Sequence, residues 1–100
     1  MRESRIEGRL RRTIRKFGGR FYKWVSPGEG GVPDRIAITP AGRIVFVELK
    51  TLTGRASELQ KEQARRLRES NCDERHIYGR EEAEALLRDL FPEYKGGEPN

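Results

Sequence analysis

The sequence is poor in the residues from which many enzyme sites are built. It contains one cysteine, Cys72, and one histidine, His76. A single cysteine excludes an internal disulfide and a cysteine-rich zinc site, and it favours a reducing, cytoplasmic setting. A single histidine excludes metal motifs built on a histidine pair and argues against a histidine-based catalytic triad. We interpret both residues as structural.

Several sequence signals are also missing. No apolar run approaches the roughly 20 residues that cross a bilayer, and no apolar stretch follows the first basic residue. We therefore expect neither a membrane-spanning helix nor a signal peptide. The glycine-rich segment Gly28–Gly31 lacks a Gly-Lys-Ser/Thr ending and a following helix, which argues against a nucleotide-binding P-loop. No Gly-x-Ser-x-Gly motif is present, so an acyl-transfer hydrolase has no support.

What the sequence has in abundance is charge. Charged residues make up 37% of the 100 residues, and 21 Lys and Arg oppose 16 Asp and Glu, for a net charge of +5. A basic balance favours an anionic partner, nucleic acid first and an acidic membrane surface second. The length fits one domain, which we predict over residues 1–91. The polar, Gly/Pro-rich end predicts a flexible tail over residues 92–100.

The residue patterns predict an α/β sandwich with the element order α-β-β-β-α-β-α. Both faces of the strand that ends at Lys50 are apolar, so we expect helices on both sides of a mixed central sheet. The predicted elements are a helix over Arg2–Phe17, strands over Phe21–Val25, Asp34–Thr39 and Arg43–Lys50, a helix from Ser57 to about Ser70, a strand over Arg75–Tyr78 and a helix over Glu81–Phe91.

The first helix carries an apolar stripe and a basic flank. The stripe is formed by Ile6, Leu10, Ile14 and Phe17 at helical spacing. A flank of arginines suits phosphate contacts, with a solvated surface as the alternative interpretation. The predicted DNA-binding residues are Arg5, Arg9, Arg12, Lys16 and, outside this helix, Arg35.

The register of the central hairpin brings charged side chains together. If Pro40–Gly42 is a three-residue loop, Ile36 faces Phe46 and Asp34 faces Glu48. Directly opposed residues share one side of a sheet, with β-carbons about 5 Å apart, and Lys50 projects from the same side. Two opposed carboxylates destabilise a sheet unless something compensates them. A divalent cation does so, because carboxylate and phosphate oxygens suit Mg²⁺ or Mn²⁺.

These residues resemble a known family. Pro33-Asp34 followed by Glu48-Leu49-Lys50 is similar to the PD-(D/E)xK nuclease signature, and Gly31–Arg35, Val47–Lys50 and Gln60 resemble the stand-alone VRR-NUC domain of phage and bacterial proteins. The resemblance covers about residues 3–90. It implies a restriction-endonuclease-like fold and a Mg²⁺- or Mn²⁺-dependent DNA endonuclease in a prokaryotic or phage-infected cell. It also implies a homodimer that cuts branched DNA, as Holliday junction resolvases do.

The same resemblance assigns roles to individual residues. Asp34 and Glu48 would be metal ligands, the backbone carbonyl of Leu49 a third, and Lys50 the catalytic lysine. The glutamate on the first helix would be Glu7, with Glu3 as a competitor.

Other residues keep two interpretations. Gln60 either only closes a capping box with Ser57 or also lies near the metal or its water. Trp24 and Tyr22 are sheet-face residues, with base stacking as the minority interpretation. For the whole protein, the alternatives are a non-catalytic basic nucleic-acid-binding protein and a flap or duplex nuclease. The acidic cluster would be structural in the first of these, a surface ion pair at the end of a hairpin.

Overall fold

The computed structural model describes residues 3–96, and the side chains of residues 5–96. It contains three helices and four strands in the predicted order, and most ends lie within two residues of those expected. Arg2 and Glu3, which entered the predictions for the first helix, have no described side chains. The elements are α1 (Glu3–Lys16), β1 (Arg20–Lys23), β2 (Arg35–Ile38), β3 (Ile44–Lys50), α2 (Glu58–Glu69), β4 (Asp73–Tyr78) and α3 (Gly79–Leu90).

The four strands form one mixed sheet in the order β1-β2-β3-β4. The β2–β3 hairpin has the predicted antiparallel register, with Ile36 opposite Phe46 and Ile38 opposite Ile44. β4 joins the other side of β3 in parallel, with His76 opposite Glu48. A parallel neighbour requires a crossover, and α2 provides it.

One face of the sheet carries the core. Val45, Val47 and Leu49 of β3 are at most 1% exposed and lie in one apolar cluster with residues of α1 and α3. The predicted stripe of α1 is confirmed, because Ile6, Leu10 and Ile14 are buried and Phe17 packs against them. These two helices therefore cover the face from which odd-numbered residues of β3 project.

The other face is covered only in part, which differs from the prediction of a strand buried on both sides. α2 packs against β4, at one edge of the sheet. Ile44 is 49% exposed and Tyr22 on β1 is also 49% exposed. We call this side, which carries Tyr22, Trp24, Ile36, Phe46 and Glu48, the open face.

The predicted boundary of the domain at residue 91 is wrong. Tyr94 is buried in the core cluster, and its ring lies edge-on to Phe17 at 6.1 Å between centroids. Its hydroxyl donates a hydrogen bond to Glu84 at 2.8 Å. The domain thus includes the first part of the predicted tail, because an aromatic side chain there completes the core. Residues 97–100 lie outside the described part of the chain.

Candidate active site

Asp34 lies one residue before β2 and keeps the strand pairing. Its carbonyl oxygen accepts a hydrogen bond from the Trp24 N–H at 2.9 Å, which continues the β1–β2 ladder. The β2–β3 register, continued by one pair, sets Asp34 opposite Glu48. The Asp34 carboxylate also accepts a hydrogen bond from the Leu49 N–H at 3.2 Å, so it reaches across to β3. The hairpin therefore brings Asp34 to the end of β3, as the sequence predicted.

Glu48 is a buried carboxylate at the same end of the sheet. Its side chain is 7% exposed, and burial of a carboxylate is costly unless polar groups compensate it. The Lys50 ammonium lies 3.6 Å from Glu48 Oε2, and the Gln60 amide donates a hydrogen bond to the same oxygen at 3.2 Å. The Lys50 ammonium and the Gln60 amide thus both contact the buried Glu48 carboxylate.

Gln60 closes the predicted capping box and also contacts Glu48, while its role near a metal or its water stays a prediction. The Gln60 Oε1 accepts a hydrogen bond from the Ser57 N–H at 2.9 Å, and the Ser57 hydroxyl accepts one from the Gln60 N–H at 3.1 Å. This reciprocal pair is the predicted capping box. Because the amide oxygen is used by the cap, the amide nitrogen is left to donate to Glu48.

The Arg35 guanidinium lies between the Glu7 and Asp34 carboxylates. Its carboxylate is 3.0 Å from Arg11 and 3.6 Å from Arg35, and the Arg35 guanidinium is 3.5 Å from the Asp34 carboxylate. Arg35 also donates a hydrogen bond to the Asp34 carbonyl oxygen at 3.0 Å. The Arg35 side chain is 15% exposed, and its ion pairs are with Glu7 and Asp34. Its predicted contact with DNA and the metal-ligand role of Glu7 stay predictions.

The predicted DNA contact of Arg9 is wrong. Arg9 is 1% exposed, and its guanidinium donates two hydrogen bonds to Glu84 of α3, at 2.7 and 3.1 Å. The physical reason is that α3 packs against α1 and widens its buried side beyond the apolar stripe. By contrast, the other predicted contacts on α1 are exposed: Arg5, Arg12 and Lys16.

The glycine-rich segment before Asp34 is held by α2. A β-carbon on Gly31 would lie 2.7 Å from the Leu59 backbone oxygen, and Gly31 has a φ of +81° that favours glycine. Gln63 donates hydrogen bonds to Glu29 and to the Gly30 carbonyl oxygen at 3.4 and 3.2 Å. The segment before β2 is therefore packed against and hydrogen-bonded to α2.

Two neighbours of the site were not predicted for it. His76 is the direct partner of Glu48 on β4, and its Nε2 lies 2.9 Å from the buried Glu74 carboxylate. Trp24 pairs with Asp34 across β1 and β2, and its ring centroid is 5.3 Å from that of Phe46. The parallel β3–β4 register that brings in His76 depends on the α2 crossover, and no short-range sequence signal encodes it.

The donor set fits a magnesium-like cation. Within residues 3–96, no three Asp, Glu, His or Cys side chains are grouped closely enough to hold a metal ion by themselves. Asp34 and Glu48 offer two carboxylates beside the Leu49 backbone. Mg²⁺ is commonly bound by one or two carboxylates, with water and substrate phosphates completing its coordination.

No helix among the described residues is long and apolar enough to span a membrane.

Comparisons with known proteins agree on one family. The VRR-NUC domain family matches residues 2–81. A protein of Acyrthosiphon pisum secondary endosymbiont phage 1, named "Putative nuclease p44", is 54% identical over 50 residues. That match spans half of this chain and 54% of the phage protein.

Solved structures support the same fold. A structure titled as a VRR-NUC domain has a TM-score of 0.74 at 25% identity and covers 92% of this chain and 96% of its own. A second, titled as a VRR-NUC domain protein, has a TM-score of 0.73 at 17% identity and covers 92% of this chain and 89% of its own. The predicted α/β fold is therefore confirmed.

Proposed function

This chain belongs to the VRR-NUC domain family, and from that premise we propose that it is a metal-dependent DNA endonuclease acting through Asp34, Glu48 and Lys50. The observation that carries the proposal is the pairing of two carboxylates on the open face, opposite each other in the hairpin register. Glu48 is buried there with a lysine and a glutamine on one oxygen. A purely structural ion pair has no need for a second carboxylate at that end of the sheet.

A divalent cation would be held by Asp34, Glu48 and the Leu49 carbonyl. When bound, it would supply positive charge beside the scissile phosphate and acidify a nearby water. Mg²⁺ and Mn²⁺ both suit oxygen ligands of this kind.

The protein side chains around that position have separate tasks. Gln60 orients the Glu48 carboxylate, because its own amide is fixed by the capping box. Lys50 has an ammonium that can donate to a phosphate oxygen or to the attacking water, as preorganised donors do in other active sites. Arg35 holds Asp34 by its carbonyl and its carboxylate. One side chain each from α2, β3 and β2 thus contacts the Asp34–Glu48 pair: Gln60, Lys50 and Arg35.

The proposed substrate is branched DNA, with the Holliday junction as the leading candidate and a homodimer as the acting form. The basic balance of the chain supports a nucleic-acid substrate. Residues 5–96 fold around one apolar core with one Asp34–Glu48 pair, and a second copy would provide the second contact with a junction.

The test is a cleavage panel. Labelled Holliday junction, flap and linear duplex are incubated side by side with Mg²⁺, Mn²⁺ or EDTA, using the wild-type chain and Asp34→Asn. We expect cleavage with either cation and none with EDTA or with the variant. Paired symmetric nicks on the junction alone would support a resolvase, whereas flap-restricted or indiscriminate cutting would overturn that substrate. Cleavage that persists in EDTA, or in Asp34→Asn, would overturn the metal-dependent nuclease itself.

The competing function is a non-catalytic basic protein that binds nucleic acid. It predicts salt-dependent binding with no cleavage of any substrate and no effect of divalent cations. The same panel separates it from the nuclease, because binding and cutting are measured on the same labelled DNA.

A further inference from the structure

The β1 edge of the sheet combines the exposed ring of Tyr22 with unopposed positive charge. From Gly8 to Gly28 the sequence has seven basic residues and no acidic residue. Four of them belong to the end of α1 and to β1, and all four are exposed: Arg15, Lys16, Arg20 and Lys23. Of these, Arg20 projects from the open face by strand alternation, and the others surround the β1 edge of the sheet. Among the side chains of residues 5–96, none forms an ion pair with these four.

The strand pattern orders side chains along this edge. Arg20 and Tyr22 of β1 and Trp24, one residue after it, alternate along the chain, so they project from the same face of the sheet. Arg20 and Tyr22 pair with Ile38 and Ile36 of β2, and Trp24 pairs with Asp34, one residue before β2. Trp24, Tyr22 and Arg20 therefore form a row that begins beside Asp34, and successive members are about 6.6 Å farther from it.

An open cavity lies at the far end of that row. Its volume is about 320 Å³, and it is lined by Arg15, Gly18–Gly19, Arg20, Phe21 and Tyr22. Tyr22 is 49% exposed at its rim.

We propose that the β1 edge of the open face binds an unpaired segment of a DNA strand next to the cleavage site. Tyr22 stacks on a base, and Arg15 and Arg20 hold phosphates at the cavity. This inference rests on the proposed nuclease function, since it takes its direction from Asp34. Exposed aromatic side chains beside a positive groove are the means by which proteins bind single strands, because every base has a face on which a ring can stack.

Charge favours DNA over a second copy of the chain as the occupant. In a two-fold contact the same patch lies on both partners, so the four unpaired cations would face the same four. A polyanion instead releases its own counterions when these cations neutralise its phosphates. An unpaired strand is favoured over duplex because the exposed Tyr22 offers a ring face, which paired and stacked bases cannot use.

The experiment measures binding without cleavage. A labelled oligothymidylate of about 12 nucleotides, within the range that small single-strand-binding domains cover, is titrated in EDTA with the full chain carrying Asp34→Asn. On that background, Tyr22→Leu is compared with Tyr22→Phe, and Arg20→Ala with Arg66→Ala. Arg66 is an exposed arginine of α2, at the opposite edge of the sheet, so it is a matched charge control.

We expect Tyr22→Leu to weaken binding about tenfold or more and Tyr22→Phe to leave it unchanged. Arg20→Ala should lower the slope of log affinity against log salt by about 0.7, the value for one lost phosphate contact on a single strand. Arg66→Ala should leave that slope unchanged. Equal binding by the two Tyr22 variants, or equal slopes for the two arginine variants, would overturn the proposal.

Two further outcomes separate this inference from its premise. If wild-type protein cuts branched DNA but the β1 variants bind oligothymidylate as the parent does, the nuclease stands and the single-strand site fails. If no DNA is cut but the expected binding differences are found, the nuclease fails and the site stands as a binding surface. A Tyr22→Leu variant that changes sedimentation but not DNA affinity would assign the surface to a second copy and overturn the proposal.

Discussion

The Gln60 side chain joins the start of α2 to the Glu48 carboxylate of β3. One end of its amide accepts the Ser57 N–H at 2.9 Å, and the other donates to Glu48 Oε2 at 3.2 Å. The capping box therefore does more than begin a helix. It fixes the direction of the donor that orients a buried acid.

This link predicts that two substitutions lower the unfolding free energy, but that only one of them also lowers the cleavage rate. Ser57→Ala removes the cap and should cost about 1 kcal/mol of unfolding free energy, but it leaves the Gln60 amide able to reach Glu48. Gln60→Ala removes both the capping contact with Ser57 and the hydrogen bond to Glu48. It should therefore also lower the cleavage rate about 10- to 100-fold, as loss of an outer partner of a metal ligand does. Urea denaturation and cleavage assays on both variants provide the two measurements. Equal cleavage losses in the two variants would assign Gln60 to the cap alone.

Replacement of the catalytic groups should leave the fold intact. Asp34→Asn keeps an oxygen that can accept the Leu49 N–H, so the hairpin end is preserved. We expect its cleavage to fall below detection, while its DNA affinity in EDTA stays near that of the wild type. Lys50→Ala should lower the rate about 100- to 1000-fold, since a preorganised donor is lost. A Lys61→Ala variant, which removes an exposed lysine of α2, is the control and should cut normally.

The cation should also change stability, independently of any reaction. A ligand that binds only the folded chain stabilises it by about 2.7 kcal/mol when present at 100 times its Kd. Mg²⁺ or Mn²⁺ should therefore raise the Tm of the wild type, and the rise should vanish in Asp34→Asn. Without cation, Glu48→Gln should be neutral or more stable than the wild type, because it relieves the repulsion between the two carboxylates. An equal cation effect in wild type and Asp34→Asn would contradict the assigned ligands.

The Arg9–Glu84 pair predicts a dependence of stability on pH. Hydrogen bonds from the Arg9 guanidinium lower the pKa of Glu84 below its ordinary value of 4.5, although burial opposes the shift. A lowered pKa in the folded state stabilises the protein fully above about pH 4.5 and loses that contribution as the pH falls through the lowered value. Unfolding free energies measured between pH 7 and pH 2 should thus fall less steeply in Glu84→Gln than in the wild type.

The same pair predicts unequal effects of single and double substitutions. Arg9→Leu should cost about 3–5 kcal/mol, because it leaves the Glu84 carboxylate without its buried cation. The double variant Arg9→Leu with Glu84→Leu should cost less than either single one, since both charges are gone. Chemical denaturation of the four proteins at pH 7 measures this cycle. Additive losses would show that the two side chains do not act as a pair.

The sequence by itself determined the elements and the centre of the site. Periods of two and of 3.6 residues assigned strands and helices, and a three-residue turn set the hairpin register that aligns Asp34 with Glu48. Ser57 and Gln60, three positions apart, marked the start of α2, because a capping box is encoded locally. These features depend only on neighbours along the chain or across one short turn.

The tertiary structure decided what the local pattern left open. Arg9 has the spacing of a surface arginine, yet α3 buries it against Glu84, and Tyr94 joins the core from a segment that is polar by composition. The α2 crossover brings His76 opposite Glu48 and leaves the β1 edge of the open face uncovered. Burial depends on which elements pack together at long range, and residues 75 positions apart, such as Arg9 and Glu84, meet only after the chain has folded.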